Sequence, residues 1–334
     1  MKTWKVLLPL VFILVFVLSG CKKIEIDPVV SEQDSLPTEE MTEVASDNSS
    51  QEEISEAADN YEHANSFGEI NYNTFSDYGI DIDNAFSVTI EELAPLYDKA
   101  KDIWNTYGVM VLIADKVCDY TDGAELCLDY EKIKSCLQLI ESSLACYPEY
   151  FFKDFSGDVC VQLVGTGSTA GLYLGGYEQL LIQIDANCFN PYDGYDDNGY
   201  YFCYTLHHEI WHMINEHLMK QASDSECPLS EERWNSYNPE GFEYVNGYDN
   251  EKETEIYCIG NNYEYFLSSY GCSAPDEDRA MIFGDAMAYY QGYDCAEFTE
   301  QVNAKLEYLS NCIRAGFQSD NWAELAPWDY MRNR

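Results

Sequence analysis

An α+β fold is predicted for this chain of 334 residues. Two observations carry the prediction. The strand-like runs, short and rich in Val, Ile and Leu, all precede a histidine-bearing helix at residues 201–217, and the text after that helix is mostly helical in spacing. Strands and helices are therefore segregated, which gives a small sheet followed by a largely helical C-terminal part. Hydrophobic residues make up 46% of the chain, enough to fill one large core.

Residues 1–20 read as an export signal. MKTWK supplies positive charge, VLLPLVFILVFVL an apolar core, and LSGC small residues before Cys21. The apolar run is short for a membrane span. LSGC resembles the bacterial lipobox, which implies that Cys21 is lipidated and that the protein sits on the outer face of a bacterial membrane, held by that anchor alone. Residues 21–65 follow as an acidic tether rich in Glu, Asp and Ser and nearly free of aromatics. Such a segment cannot bury enough apolar surface to offset its ordering entropy, so disorder is expected. The folded domain is expected over 66–334, with order from about Phe67.

Within it, SVTIEELAPLYDKAKDIWNTYG reads as a helix with Ser87 and Thr89 as possible caps and Gly108 as its stop. VMVLIAD is a buried-strand candidate and LDYEKIKSCLQLIESSLACYP a second helix. DVCVQLVG and QLLIQIDA read as strands. The histidine helix follows, then helical text in DEDRAMIFGDAMAYY and AEFTEQVNAKLEYLSNCIRAGF. DGYDDNG, from Asp193 to Gly199, has the oxygen density of a calcium turn. It lacks the spaced loop and terminal glutamate of an EF-hand and is read as a solvated turn.

The formal net charge of -42 excludes a nucleic-acid binder, which needs basic patches, and an electrostatic grip on anionic lipid. It fits solubility outside the cell and attraction of cationic substrates. Besides Cys21 there are twelve cysteines, all after residue 117, and no C-x-x-C pair. An even number of cysteines in an exported chain predicts disulfides.

The chemistry concentrates in YFCYTLHHEIWHMINEH. Of five histidines in the chain, three fall at His207, His208 and His212, and a fourth at His217. His208-Glu209-Ile210-Trp211-His212 is an H-E-x-x-H. On a helix, residues four apart share a face, so both imidazoles can meet one zinc ion (Zn2+), with Glu209 placed to take a proton from water. Zinc lowers the pKa of a bound water from about 15.7 to about 7. With so few histidines, a chance match is expected only about 0.01 times. Catalytic zinc usually takes three protein ligands. His217 fails on geometry: it lies about 140° round the helix from His212 and about 180° from His208. Asn215 and Leu218 stand where the pattern H-E-x-x-H-x-x-G-x-x-H needs Gly and His. Glu216 is on the right stripe, but one turn beyond the point of convergence. His207 points off that face and is read as a core residue or a support to the ligands. The third ligand is expected elsewhere.

Downstream, YFLSSYGCSAPDEDRAMIFGDAM contains Ser269-Tyr270-Gly271, then Glu277, then Ala280. This stretch, with the H-E-x-x-H, resembles the catalytic domain family of anthrax lethal factor, gluzincin metallopeptidases of zincin-like fold. The resemblance covers residues 208–212 and about 266–287. It implies that Glu277 is the third zinc ligand and that Tyr270 donates a hydrogen bond to the oxyanion of the tetrahedral intermediate. Asp278-Arg279 replace two aromatics of that pattern and Met281 replaces a second acidic residue, departures expected to touch substrate preference rather than metal binding. The resulting expectation is a membrane-anchored zinc metallopeptidase acting on peptide or protein substrates. A strand before the helix, QLLIQIDA, is expected to align substrate by strand addition. The alternative is a catalytically silent zincin-like binding lipoprotein. Intact Glu209 speaks against it, since metal binding alone does not need that residue.

Overall fold

The computed structural model describes residues 90–114, 125–155, 157–166, 170–175, 179–189, 199–222, 229–244, 264–295 and 297–334. The leader, Cys21, the acidic tether, Phe67, Ser87, Thr89 and residues 193–198 of the acidic turn lie outside them. Among the described residues no helix is long and apolar enough to cross a membrane.

The architecture is α+β. Helix α1 (Ala94–Tyr107) follows a 3-10 turn at Glu91–Leu93 and starts without a side-chain cap, with proline in its first turn. Proline suits that place because its missing N–H is one the helix leaves unpaired anyway. The helix ends where Gly108 turns left-handed at φ 73°, as its position in the sequence indicates. Strands β1 (Val109–Leu112) and β2 (Glu125–Leu126) precede helix α2 (Tyr130–Leu144), which is capped by the Asp129 carboxylate accepting from Lys132 N–H. Then come β3 (Asp158–Thr166), β4 (Gly171–Gly175) and β5 (Gln179–Asp185).

The strands form one mixed sheet in the order β1-β3-β5-β4, with β2 paired to one end of β3. The β1–β3 and β3–β5 pairs are parallel, while β4 runs antiparallel to β5. Val159, Val161 and Leu163 of β3 and Ile182 and Ile184 of β5 point into the main core. On the other face, Gln183 donates to Gln162 at 2.9 Å, so the two buried amides satisfy each other. Burial on both faces is what parallel strands require. Position in the sheet corrects one expectation. QLLIQIDA is β5, an interior strand bonded on both sides, and it has no edge to offer a peptide. Among the described residues the sheet ends in β1 and β4, and β4 is the terminal strand beside β5.

Helix α3 (Tyr200–Ala222) crosses beside β4 and packs against α5 (Pro275–Tyr290). A short helix α4 (Glu231–Asn235), capped by Ser230, and the long α6 (Glu300–Gly316), capped by Thr299, complete the C-terminal part. Trp211 and Phe283 meet across the α3–α5 contact with ring centroids 5.3 Å apart, and both are fully buried. Burial of each such side chain contributes roughly 1.5–3 kcal/mol, so this contact fixes the two helices against each other.

The disulfide expectation is corrected for most of the cysteines. Cys127, Cys136, Cys146, Cys160, Cys188, Cys203, Cys295 and Cys312 are thiols, and among the described cysteines only Cys272 is disulfide-bonded. Six of the eight are buried and serve as small apolar side chains in the packing, while Cys146 and Cys188 are half-buried. Burial pushes the Cys146 and Cys295 thiols up to about 12, which leaves almost no thiolate to drive exchange.

Candidate metal centre

Helix α3 places His208 and His212 one turn apart on one face, and their Nε2 atoms approach to 3.2 Å. Glu277 arrives from a second helix, in the first turn of α5. Its Oε2 lies 3.1 Å from His208 Nε2 and 3.6 Å from His212 Nε2. All three are largely buried, and together they form a group able to hold a metal ion. The three donor atoms lie close enough to one another that a single ion could be held by His208, His212 and Glu277 together. Two imidazoles and one carboxylate are also a donor set that zinc accepts.

The electrostatics prepare the same atoms. Burial alone would raise the Glu277 carboxyl, but hydrogen bonds with His208 and His212 hold it far below the usual carboxylate range. Burial alone would lower His212, yet the Glu277, Glu209 and Asp276 carboxylates raise it. Glu277 is thus already ionised, the form a ligand must take. Asp276 Oδ2 stands 3.9 Å from His212 Nδ1 on the side away from the convergence point. A carboxylate there favours a proton on Nδ1 and leaves Nε2 for a metal.

Glu209 lies beside the triad and is 6% exposed. Burial raises its carboxyl, the two imidazoles lower it, Glu277 raises it, and a hydrogen bond from the Tyr173 backbone N–H lowers it. That N–H belongs to edge strand β4, which runs against α3. A Cβ at Gly171 would come within 2.7 Å of Glu209 Oε1 and of Thr205 Cγ2. Glycine there permits the approach of edge strand to helix. Tyr270 sits in the 3-10 turn Tyr270–Cys272 with its ring 6.2 Å from that of His208. Tyr204, one turn earlier on α3, places its ring 6.0 Å from the same imidazole.

The remaining candidates sit elsewhere. His217 Nε2 bonds the Gly316 carbonyl at 3.1 Å and its ring packs on Phe155 and Phe317. His207 is fully buried between Tyr147 Oη and Gln291 Oε1, at 2.8 and 2.9 Å, and burial lowers it to about 4. Glu216 accepts from the Tyr173 hydroxyl and pairs with Lys220.

No known protein family and no curated protein matches the sequence. Among solved structures, the crystal structure of a candidate zinc-binding metallo-peptidase from Bacteroides caccae ATCC 43185 is similar, at 14% sequence identity and a TM-score of 0.46, over 74% of this chain and 92% of that one. Likeness at that level assigns neither family nor function.

Three neighbours of the site escaped sequence reasoning. Asp276 carried a signal, an acid directly before the candidate ligand in a helix start. Tyr204 could have been read one helical turn before His208. Tyr173 could not, because only the pairing of β4 with β5 brings it near.

Proposed function

We propose that the chain is a zinc metallopeptidase that hydrolyses peptide bonds. The observation that carries this reading is the convergence of His208, His212 and Glu277 beside the buried Glu209. A bound zinc ion would supply Lewis acidity toward water and the scissile carbonyl. The chain's own groups do the rest. Glu209 takes a proton from the attacking water onto a carboxylate oxygen and delivers it to the departing amide nitrogen. Its raised pKa, caused by burial, suits both halves of that transfer. Tyr270 donates its phenolic proton in a hydrogen bond to the carbonyl oxygen as charge gathers there. An extended peptide adds to the β4 edge, whose Tyr173 N–H already touches Glu209, and so passes the base.

Removal and return of metal tests the reading. Purified chain should contain about one zinc, lose cleavage of a mixed peptide library after dialysis against a chelator, and regain it with one equivalent of zinc. Chelator-resistant cleavage would sink the metal reading, and zinc binding without cleavage would favour the silent binding protein. Anchoring through Cys21 belongs to the same proposal. Intact mass of the N-terminus from a bacterial membrane fraction should show a lipidated Cys21, and a soluble product starting elsewhere would refute it.

A further inference from the structure

Glu277 is followed directly by Asp278 and Arg279, two of the three positions where the chain departs from the resembling pattern. Neither lines the cleft, since each is only 1% exposed. Their contacts run behind the metal centre instead. Asp278 Oδ2 accepts from Lys305 Nζ at 2.7 Å and from the Tyr244 hydroxyl at 2.8 Å. Lys305, fully buried on α6, also donates to the Tyr265 carbonyl at 2.8 Å and lies 4.0 Å over the Phe266 ring. The other carboxylate oxygen, Oδ1, faces Gly271, 3.5 Å from where a Cβ would stand. One buried ion pair therefore touches both the helical turn that carries Glu277 and the segment that carries Tyr270. Arg279 extends the contact to the histidine helix. Its Nη1 donates to Asn215 Oδ1 at 3.0 Å, three residues beyond His212, and its guanidinium sits 5.1 Å over Trp234.

Two physical arguments give this cluster a purpose. The first turn of α5 has no side-chain cap, because Ala274 stands at the N-cap. An uncapped helix start frays unless something else holds it, and a metal ligand must be held to about 0.5 Å. Moreover, a buried ion pair is a poor source of stability, since an apolar pair of similar volume often does as well or better. What the charged pair offers is a fixed direction, set by hydrogen bonds at both ends.

We propose that Asp278, Lys305 and Arg279 are positioning residues that set Glu277 and Tyr270 against the two imidazoles. The proposal rests on the metal centre described above but not on peptide cleavage. Its test uses the full chain, with zinc affinity by chelator competition, the visible spectrum of the cobalt-loaded protein, and the thermal unfolding midpoint. The double variant Asp278→Leu/Lys305→Met removes the ion pair without stranding a charge. It should unfold near the wild-type midpoint, bind zinc about 10–100-fold more weakly, and shift the cobalt bands. Asn215→Ala leaves the ion pair intact and removes only the strut to α3; it should weaken zinc several-fold with little change in midpoint, and it decides alone if the double variant does not fold. Wild-type zinc affinity and an unchanged cobalt spectrum in the folded variants would overturn the proposal and reduce the cluster to packing. A wild-type chain that binds cobalt normally yet cleaves no peptide would defeat the peptidase reading and leave the positioning proposal standing on the spectra.

Discussion

Glu209→Gln is expected to keep its zinc and lose turnover by about 10²–10⁴-fold, the usual range for a positioned proton-transfer group. The amide has the shape of the carboxylate and can still accept from the Tyr173 N–H that now bonds Glu209. It cannot take a proton from water at neutral pH. The three candidate ligands are untouched, so bound metal should stay near one equivalent. The loss should appear in kcat with KM little changed, because the group acts on the reacting atoms rather than on the peptide's extended backbone. Wild-type cleavage by this variant would mean that another group moves the proton. Tyr204 and Tyr270, the phenols flanking His208, would be next to examine.

The histidine face was legible because helical geometry converts sequence spacing directly into contact. Four residues make one turn, and His208 and His212 need nothing else to meet. The same rule excluded His217, which bonds a backbone carbonyl of α6 instead. Strand β4 was not legible. Its five residues, GLYLG, begin and end in glycine, a residue depleted in strands. Those glycines answer to tertiary contacts, Gly171 with Glu209 and Gly175 with Glu216, and not to local propensity. The order of the sheet was hidden for a related reason. The sequence neighbours β4 and β5 pair antiparallel, but β5 then inserts beside β3, and only that long-range pairing turns QLLIQIDA from a candidate edge into an interior strand. The cysteines misled because an even count in an exported chain fits disulfides and buried thiols alike. Which one holds depends on where the sulfurs lie in space. The replacement of two aromatics of the resembling pattern by Asp278 and Arg279 points, from sequence, to substrate preference, yet both side chains are buried. The partners that let them be buried, Lys305 for Asp278 and Glu231 with Asn215 for Arg279, are far away along the chain.

Glu277→Ala should have the largest effect on metal. It removes the donor that α3 cannot itself provide, since a single straight helix presents its side chains from one direction. Two imidazoles and solvent would remain, and zinc affinity should fall by more than the 10–100-fold typical of losing an outer partner of a ligand. The control is Glu216→Ala, the first carboxylate after His212 on α3 and the nearest competitor for the third ligand place. That side chain is engaged with Tyr173 and Lys220, so its loss should leave zinc affinity within a few-fold of wild type and act on the β4 contact instead. Tyr270→Phe completes the set. It keeps the ring beside His208 and deletes only the hydroxyl, so zinc should stay while kcat falls, by up to the 10²–10³-fold seen on removing one oxyanion donor. The three outcomes are linked by geometry. Glu277 and Tyr270 come to the imidazoles from α5 and from the turn just before it, while Glu216 lies further along α3 itself. If Glu216→Ala strips the zinc and Glu277→Ala does not, the ligands converge elsewhere along α3. Tyr270 would then stand beside the wrong part of the helix, and its substitution should leave kcat unchanged.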